Sequence, residues 1–187
     1  LNNTLTYYGA LSHYGEDIPL ACVGVISKVN ILMLGFTLGI SQGCQPIFSY
    51  NYGARQYSRV REAYRKAIVA ASIICCIAFV CFQLFPRPIV ALFDPSGSEE
   101  YFQFAERYFR IYMFMTLANA FQPITANFFT SIGKAKRGAL IALTRQVIFL
   151  IPLILIFPLF LGIDGVMYAG PIADSAAVVV ALALVTR

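Results

Sequence analysis

The sequence predicts an all-α membrane protein, a polytopic transmembrane helix bundle with about five full spans and the end of a sixth. The first observation is composition, because 59% of the 187 residues are hydrophobic and 12% are charged, against about 25% charged in soluble domains. The second is that apolar stretches of about 20 residues, enough to cross a bilayer, recur along the chain. The third is that positive charge collects in the short loops between them.

The chain begins with an aromatic stretch, residues 1–15, which is typical of a membrane interface and is expected to end an incomplete span. The first full span is predicted within residues 18–52, where Asp17 and Pro19 favour a helix start. This segment is longer than one perpendicular crossing requires. Lys28 within it has two interpretations, an interfacial lysine or a charge inside a membrane cavity.

A basic loop follows, in which only Glu62 opposes five cations: Arg55, Arg59, Arg61, Arg65 and Lys66. The second span is predicted over residues 67–85. Residues 94–100 then form an acidic turn in which Ser98 is expected to cap a helix. The third span is predicted over residues 101–132, and Pro123 is expected to kink it because proline lacks a backbone donor.

A second basic loop, residues 133–138, precedes the fourth span at residues 139–161. A glycine-containing turn at residues 162–165 leads to the fifth span at residues 166–186. If every span crosses once, both basic loops lie on one side of the membrane and the acidic turn lies on the other. The positive-inside rule then predicts that the basic loops are cytoplasmic and the acidic turn is external.

Two stripes of polar residues are predicted to face the protein interior or water, since polar groups facing lipid would lack hydrogen-bond partners. Helical spacing places each stripe on one face of its span. The stripe of the first span contains Ser27, Asn30, Thr37, Ser41 and Gln45, and that of the third contains Tyr108, Tyr112, Met115, Asn119 and Gln122. The simplest alternative is helix–helix hydrogen bonding without a ligand. Taken together, the stripes favour a shared substrate cavity.

Two charged residues lie inside predicted spans. Arg145 is about 10 Å into the fourth span from the inner side, and Asp174 is about 12 Å into the fifth from the outer side. In a core about 30 Å thick their depths differ by about 8 Å, so a direct pair would require both side chains to stretch. Arg145 has the alternative of reaching the inner interface, whereas a short carboxylate cannot. Both are predicted to contribute to substrate binding.

Several other functions are disfavoured by the sequence. The five cysteines lack metal-ligand spacing and are expected to be inert thiols, so no metal site or cofactor is predicted. The net charge of +5 lies in loops rather than on a polar face, which gives no indication of nucleic-acid binding. A membrane-embedded enzyme is disfavoured because no HExxH arrangement occurs and the one histidine, His13, lies near an end of the chain.

The chain resembles the multidrug and toxic compound extrusion (MATE) family of secondary transporters over nearly its whole length. The resemblance rests on residues 39–47 (GISQGCQPI), 50–54 (YNYGA), 133–134 (GK), 143–146 (LTRQ), 151–152 (IP), 164–166 (DGV) and 170–174 (GPIAD). That family has about twelve helices in two lobes around a central cavity. The resemblance implies that residues 1–187 form the C-terminal transmembrane lobe, from the end of the seventh helix to the twelfth, without the N-terminal lobe.

The resemblance also implies a function, namely export of drugs or cationic amphiphilic compounds by antiport with H⁺ or Na⁺. The expected partners are such small molecules, the lipid bilayer and the missing N-terminal lobe, and the expected location is a bacterial inner (plasma) membrane. The third span lacks the central carboxylate of sodium-coupled members, which favours proton coupling through the absent lobe. Alternatives are a flippase for lipid-linked precursors, with a strongly cationic cavity, and a membrane bundle that does not transport.

Overall fold

The computed structural model describes residues 6–7, 10–11, 17–93, 95 and 97–185. Most of the predicted aromatic stretch at residues 1–15 lies outside the described residues, as do Asp94 and Ser96 of the predicted acidic turn. The described chain is helical, with no strand among its residues. Its elements are α1 (Asp17–Gly53), α2 (Tyr57–Leu84), α3 (Pro86–Phe93), α4 (Glu99–Met113), a 3₁₀ segment (Phe114–Leu117), α5 (Ala118–Ser131), α6 (Ala135–Leu143), a π segment (Thr144–Leu150), α7 (Ile151–Leu161) and α8 (Ile163–Val185).

Four helical stretches among the described residues are long and apolar enough to cross a membrane: Asp17–Gly53, Tyr57–Leu84, Ala135–Leu161 and Ile163–Ala183. They correspond to the first, second, fourth and fifth predicted spans. The third predicted span is not one continuous helix, because the 3₁₀ segment divides it into α4 and α5. The predicted helical membrane bundle is therefore confirmed, with four long apolar spans and a third span that is divided.

The interruption of the third span lies at Met115, whose backbone angles of −89° and 16° are not helical. Pro123, the expected position of the kink, instead lies inside α5. The local cause is visible in Thr116, whose hydroxyl donates a 2.6 Å hydrogen bond to the Met113 carbonyl oxygen. A threonine hydroxyl that bonds a preceding carbonyl competes with the helical amide and bends the helix.

The fourth span also departs from regular geometry. Residues 144–150 adopt a π-helix between α6 and α7, and Pro152 follows at the start of α7. Because proline has no amide hydrogen, a helix tolerates it where the hydrogen-bond register is already changing. Single π turns inside α-helices are frequently found at functional sites. The sequence analysis did not predict this feature.

Several helix ends follow the sequence signals. The Ser98 side chain accepts a 3.2 Å hydrogen bond from the Tyr101 amide, so the predicted helix cap at α4 is confirmed. Gly133 and Gly162 follow α5 and α7 with φ values of 79° and 59°. Left-handed backbone at these positions is easily adopted by glycine, which ends both helices sharply.

The divided third span packs in the middle of the bundle. α4 contacts α1, α2 and α8, while α5 contacts α1, α2, α6 and α8. One apolar cluster surrounds α4 and includes Val23, Ile26, Phe104, Phe109, Met113 and Met167. A second surrounds α5 and includes Phe48, Ala67, Ala71, Ala120 and Ile124. The 3₁₀ segment between the two helices therefore lies next to α8, close to the charged residue Asp174.

Candidate functional site

An ion pair joins the fourth and fifth spans. Arg145, in the π segment, donates a short hydrogen bond from Nε to Oδ1 of Asp174 in α8. The side chains are 18% and 9% exposed, respectively. Hydrogen bonds between two ionised groups are stronger than neutral ones, and a shielded location strengthens them further. The contact therefore ties the irregular part of one span to the middle of another.

This pairing is the contact that the sequence-based depth estimate allowed only if both side chains stretch. The estimated difference of about 8 Å in depth follows from regular helices with a rise of 1.5 Å per residue. In the structure, Arg145 lies in the π segment and its side chain reaches Asp174. The alternative in which Arg145 reaches the inner interface is not what the structure shows, because its guanidinium contacts Asp174.

Tyr112 of α4 lies beside this pair. Its ring packs against the α8 backbone at Gly170, where an added Cβ would lie 2.7 Å from a ring carbon. The phenol is within electrostatic range of both Asp174 and Arg145. A cavity of about 30 Å³ lies next to the ring and is lined by Val23, Tyr112, Leu150, Ile154, Val166, Met167 and Gly170. That volume holds about two water molecules and not a drug.

Met115 extends the same face into the 3₁₀ segment. The hydroxyl oxygen of Ser175 lies 3.3 Å from the Met115 sulfur and 2.8 Å from the Pro171 carbonyl oxygen. Ser175 was not among the predicted site residues, although its position next to an intramembrane aspartate is a usable signal. The structure thus brings Tyr112, Met115, Arg145 and Asp174 into one region, with Ser175 as an added member.

The other predicted residues of the third span make different contacts. The Gln122 amide nitrogen donates a 3.0 Å hydrogen bond to the Ile141 carbonyl oxygen, which joins α5 to α6. Tyr108 is 2% exposed and stacks with Phe104 at a centroid distance of 4.2 Å. The side chain of Asn119 lies outside the described part of the structure. Gln122 and Tyr108 therefore contribute to packing in this structure.

The polar stripe of the first span is mostly engaged in helix packing. The Thr37 hydroxyl is 3.5 Å from the Met33 carbonyl oxygen and 3.9 Å from the Cys75 sulfur of α2. Ser41 donates to the Pro123 carbonyl oxygen at 3.4 Å and accepts from the Asn127 amide at 2.8 Å. These bonds match the alternative of helix–helix hydrogen bonding for both residues.

Two further predicted site residues of that stripe, Asn30 and Gln45, differ in exposure. Asn30 is half-buried and Gln45 is exposed. The cavity beside Tyr112 is lined by none of the polar residues of the first span. Among the described residues, this small cavity is therefore not shared by the two stripes. Lys28, whose location the sequence left open, is exposed on α1.

A larger groove lies on the opposite side of the 3₁₀ segment. It is open, has a volume of about 370 Å³ and is lined by Gln83, Arg110, Ile111, Phe114, Tyr168 and Pro171. Pockets for drug-sized molecules measure about 300–1,000 Å³ and are mostly apolar. The groove runs between α2, α4 and α8, and Pro171 connects its wall to the region of Ser175 and Met115. It offers the room that the small cavity lacks.

The fold and its apolar spans define an integral membrane protein of the helical-bundle class. The MatE family model matches residues 5–156. The chain therefore belongs to the MatE family. Among curated proteins, it is similar to the multidrug export protein MepA of Staphylococcus aureus, with 22% identity over 175 residues, which is 94% of this chain and 38% of MepA.

Solved structures give the same result. The chain is similar to the MATE multidrug transporter DinF-BH, which was solved in complex with a small-molecule ligand. The two share 32% identity and superpose with a TM-score of 0.82, and the match covers 97% of this chain and 40% of DinF-BH. Inward-facing and outward-facing structures of MATE transporters each share 20% identity with it and reach a TM-score of 0.85, covering 97% of this chain and 41% and 40% of theirs, respectively. The chain therefore spans less than half the length of these relatives.

Proposed function

We propose that this chain is the C-terminal lobe of a secondary active transporter that exports drugs or cationic amphiphilic compounds. The observation that carries the proposal is the structural match of 97% of the chain to 40% of DinF-BH, a multidrug transporter solved with a bound small molecule. The missing N-terminal lobe would complete the substrate pathway. Secondary transporters bind substrate near the bilayer midplane, at the interface between two such repeats.

The likeness to two transporter conformations supports alternating access by movement of whole lobes. The chain matches an inward-facing and an outward-facing structure with the same TM-score of 0.85. The fold of the lobe is therefore common to both conformations. In this proposal the lobe rocks largely as one body, and the substrate contacts change at its boundary with the other lobe.

The substrate contacts that we propose lie on the third span and next to it. Tyr112 offers an aromatic face to a cation, and Met115 offers an adaptable apolar contact. Arg145 and Asp174 supply the charged part of the same region. Asn30, Gln45 and Asn119 remain proposed contacts, whereas the bonds of Thr37 and Gln122 support a packing role.

A lipid-linked precursor flippase is supported less well. Such a protein would present a strongly cationic cavity to its anionic substrate. The one arginine inside the fourth span is neutralised by Asp174 in this structure. The proposal of a drug exporter is therefore retained, with antiport driven by H⁺ or Na⁺. Collapsing each ion gradient separately with a selective ionophore during drug export would identify the coupling ion.

The test of the proposed site is ethidium export by the full-length protein in bacterial cells that lack their own drug exporters. Tyr112→Ala should slow export per membrane-inserted molecule by a few-fold to tens-fold, because a tyrosine–cation contact contributes about 0.5–2 kcal/mol. Ile77→Ala is the matched control, since Ile77 is 62% exposed on α2. Equal export by the wild type and both variants would show that Tyr112 is a packing residue.

A further inference from the structure

The charged pair Arg145–Asp174 is isolated from other charges along the chain. Arg145 is the only charged residue between positions 138 and 163, and Asp174 is the only one between positions 165 and 186. The third span carries no charged residue from position 111 to position 133. In surroundings of low dielectric constant, a single unbalanced charge acts strongly on a nearby ion. These two residues therefore determine the net charge at the middle of the last three spans.

The pair is joined by one hydrogen bond and leaves other polar atoms available. Among the described residues, Asp174 Oδ1 and Arg145 Nε make the only hydrogen bond of either side chain. The Arg145 and Asp174 side chains are 18% and 9% exposed, so part of the pair remains accessible. A bidentate arginine–carboxylate pair would also have used Asp174 Oδ2 and the Arg145 Nη atoms. Here they can contact a ligand of either charge.

The surroundings suit an amphiphilic ion rather than a small inorganic one. The Tyr112 ring packs against Gly170, about one helical turn before Asp174 on α8, and the Met115 sulfur lies next to Ser175, the residue after Asp174. Aromatic rings and thioethers contact large apolar groups well and do not strip water from a hard ion. The apolar part of a ligand would therefore lie against this face, with its charge near the pair.

We propose that the Arg145–Asp174 pair sets the charge selectivity of the transporter by keeping its site neutral, so that amphiphilic ions of either sign bind with similar affinity. This inference rests on the proposed function, because it requires the pair to face the substrate pathway. An organic cation is bound at Asp174 Oδ2, and an organic anion at the Arg145 Nη atoms. Loss of one partner leaves a fixed charge of the opposite sign, which selects strongly between them.

A purely structural role makes a different prediction. If the pair only tied the fourth span to the fifth, removing either partner would disturb the site for every ligand alike. Affinities for cations and anions would then fall together, and their ratio would stay constant. The ratio of the two affinities therefore separates selectivity from tethering.

The experiment uses two ions of the same shape and opposite charge, tetraphenylphosphonium and tetraphenylborate. Each is measured alone by equilibrium dialysis against the purified full-length transporter in detergent, after subtraction of uptake by protein-free micelles. The wild type should bind both with affinities within about tenfold of each other. Arg145→Gln should raise the phosphonium-to-borate affinity ratio by about tenfold or more, and Asp174→Asn should lower it by a similar factor.

Two further variants complete the design. The double variant Arg145→Gln with Asp174→Asn carries no unpaired charge and should fold well, with a ratio close to that of the wild type. Arg110→Gln is the matched control, because the Arg110–Glu106 pair is exposed and screened by water, so its loss should leave the ratio unchanged.

The outcomes distinguish this inference from the proposed function. Ratios that do not change in the single variants overturn the selectivity role, as does a wild-type preference above about a hundredfold for one ion. The ratio of the two ion affinities is also measured in the wild type, so the inference stays testable even if a single variant misfolds. If the wild type binds neither ion, the proposed function fails together with the inference.

Discussion

At the scale of single residues, hydroxyl groups on α1 explain how polar side chains enter an apolar bundle without serving a ligand. Ser41 is fully buried, and it links α1 to α5 by bonding both the Pro123 carbonyl oxygen and the Asn127 amide. Thr37 makes comparable contacts to its own helix and to Cys75. The sequence pattern identifies these residues as facing inward, but it cannot separate packing from binding. That distinction depends on which neighbouring helix supplies the partner.

Ser41→Ala should therefore destabilise the protein without changing its substrate contacts. The substitution removes both bonds and leaves the side-chain amide of Asn127 without this partner, at a cost of about 1 kcal/mol for a polar contact within a membrane bundle. We expect a lower thermal unfolding midpoint in detergent and an unchanged rate of ethidium export per inserted molecule. Ser58→Ala, at an exposed position on α2, is the control. A normal midpoint combined with impaired export would assign Ser41 to the substrate site instead.

At the scale of elements, the sequence predicts where helices begin and end better than where they change geometry. The Ser98 cap and the turns at Gly133 and Gly162 follow from local signals. In the 3₁₀ segment, the Thr116 hydroxyl bonds the Met113 carbonyl oxygen. Many threonines make such a bond in helices that stay regular, so the residue type alone does not predict the interruption. Pro123 is the stronger local signal, yet the helix continues through it. Tertiary packing therefore decides which candidate breaks the helix.

The close packing of α7 against α8 predicts how a substitution between them changes stability. In the hairpin of α7 and α8, an added Cβ at Gly165 would lie 2.5 Å from backbone atoms of Phe157. Backbone atoms cannot move aside as a flexible side chain can. Gly165→Ala should therefore cost about 1–3 kcal/mol, as overpacking typically does. The unfolding midpoint in detergent should fall, and less protein should elute as a single species in size-exclusion chromatography.

Gly39→Ala is the matched control for this substitution, because an added Cβ at Gly39 in α1 meets no atom within 4 Å. Replacing a glycine by alanine inside a helix favours the helix by up to about 1 kcal/mol. We expect the midpoint of this variant to stay constant or to rise. Equal behaviour of the two variants would show that α7 and α8 are not packed as closely as described here.

At the scale of the whole molecule, the chain is a helical membrane bundle of the MatE family. The sequence predicts the helical membrane bundle and the family, since residues 39–47 and 143–146 carry both apolar spans and family motifs. It does not predict that Arg145 meets Asp174, since regular helices place the two residues at different depths, and it does not predict the π segment at Arg145. Thr37 and Ser41 of the first stripe bond to α2 and α5, which supports a packing role for both. A drug-sized cavity between lobes would need the other lobe for its second wall.

In the proposed function, this chain is one lobe of a drug exporter and acts only with its partner lobe. The most direct measurement is ethidium efflux, normalised to membrane-inserted protein, in cells lacking other exporters. One strain expresses residues 1–187 alone, and a second expresses the full-length protein. We predict efflux from the full-length protein and no efflux above the empty-vector level from the isolated chain. Efflux by the isolated chain at the full-length rate, or its absence from both strains, would contradict the claim.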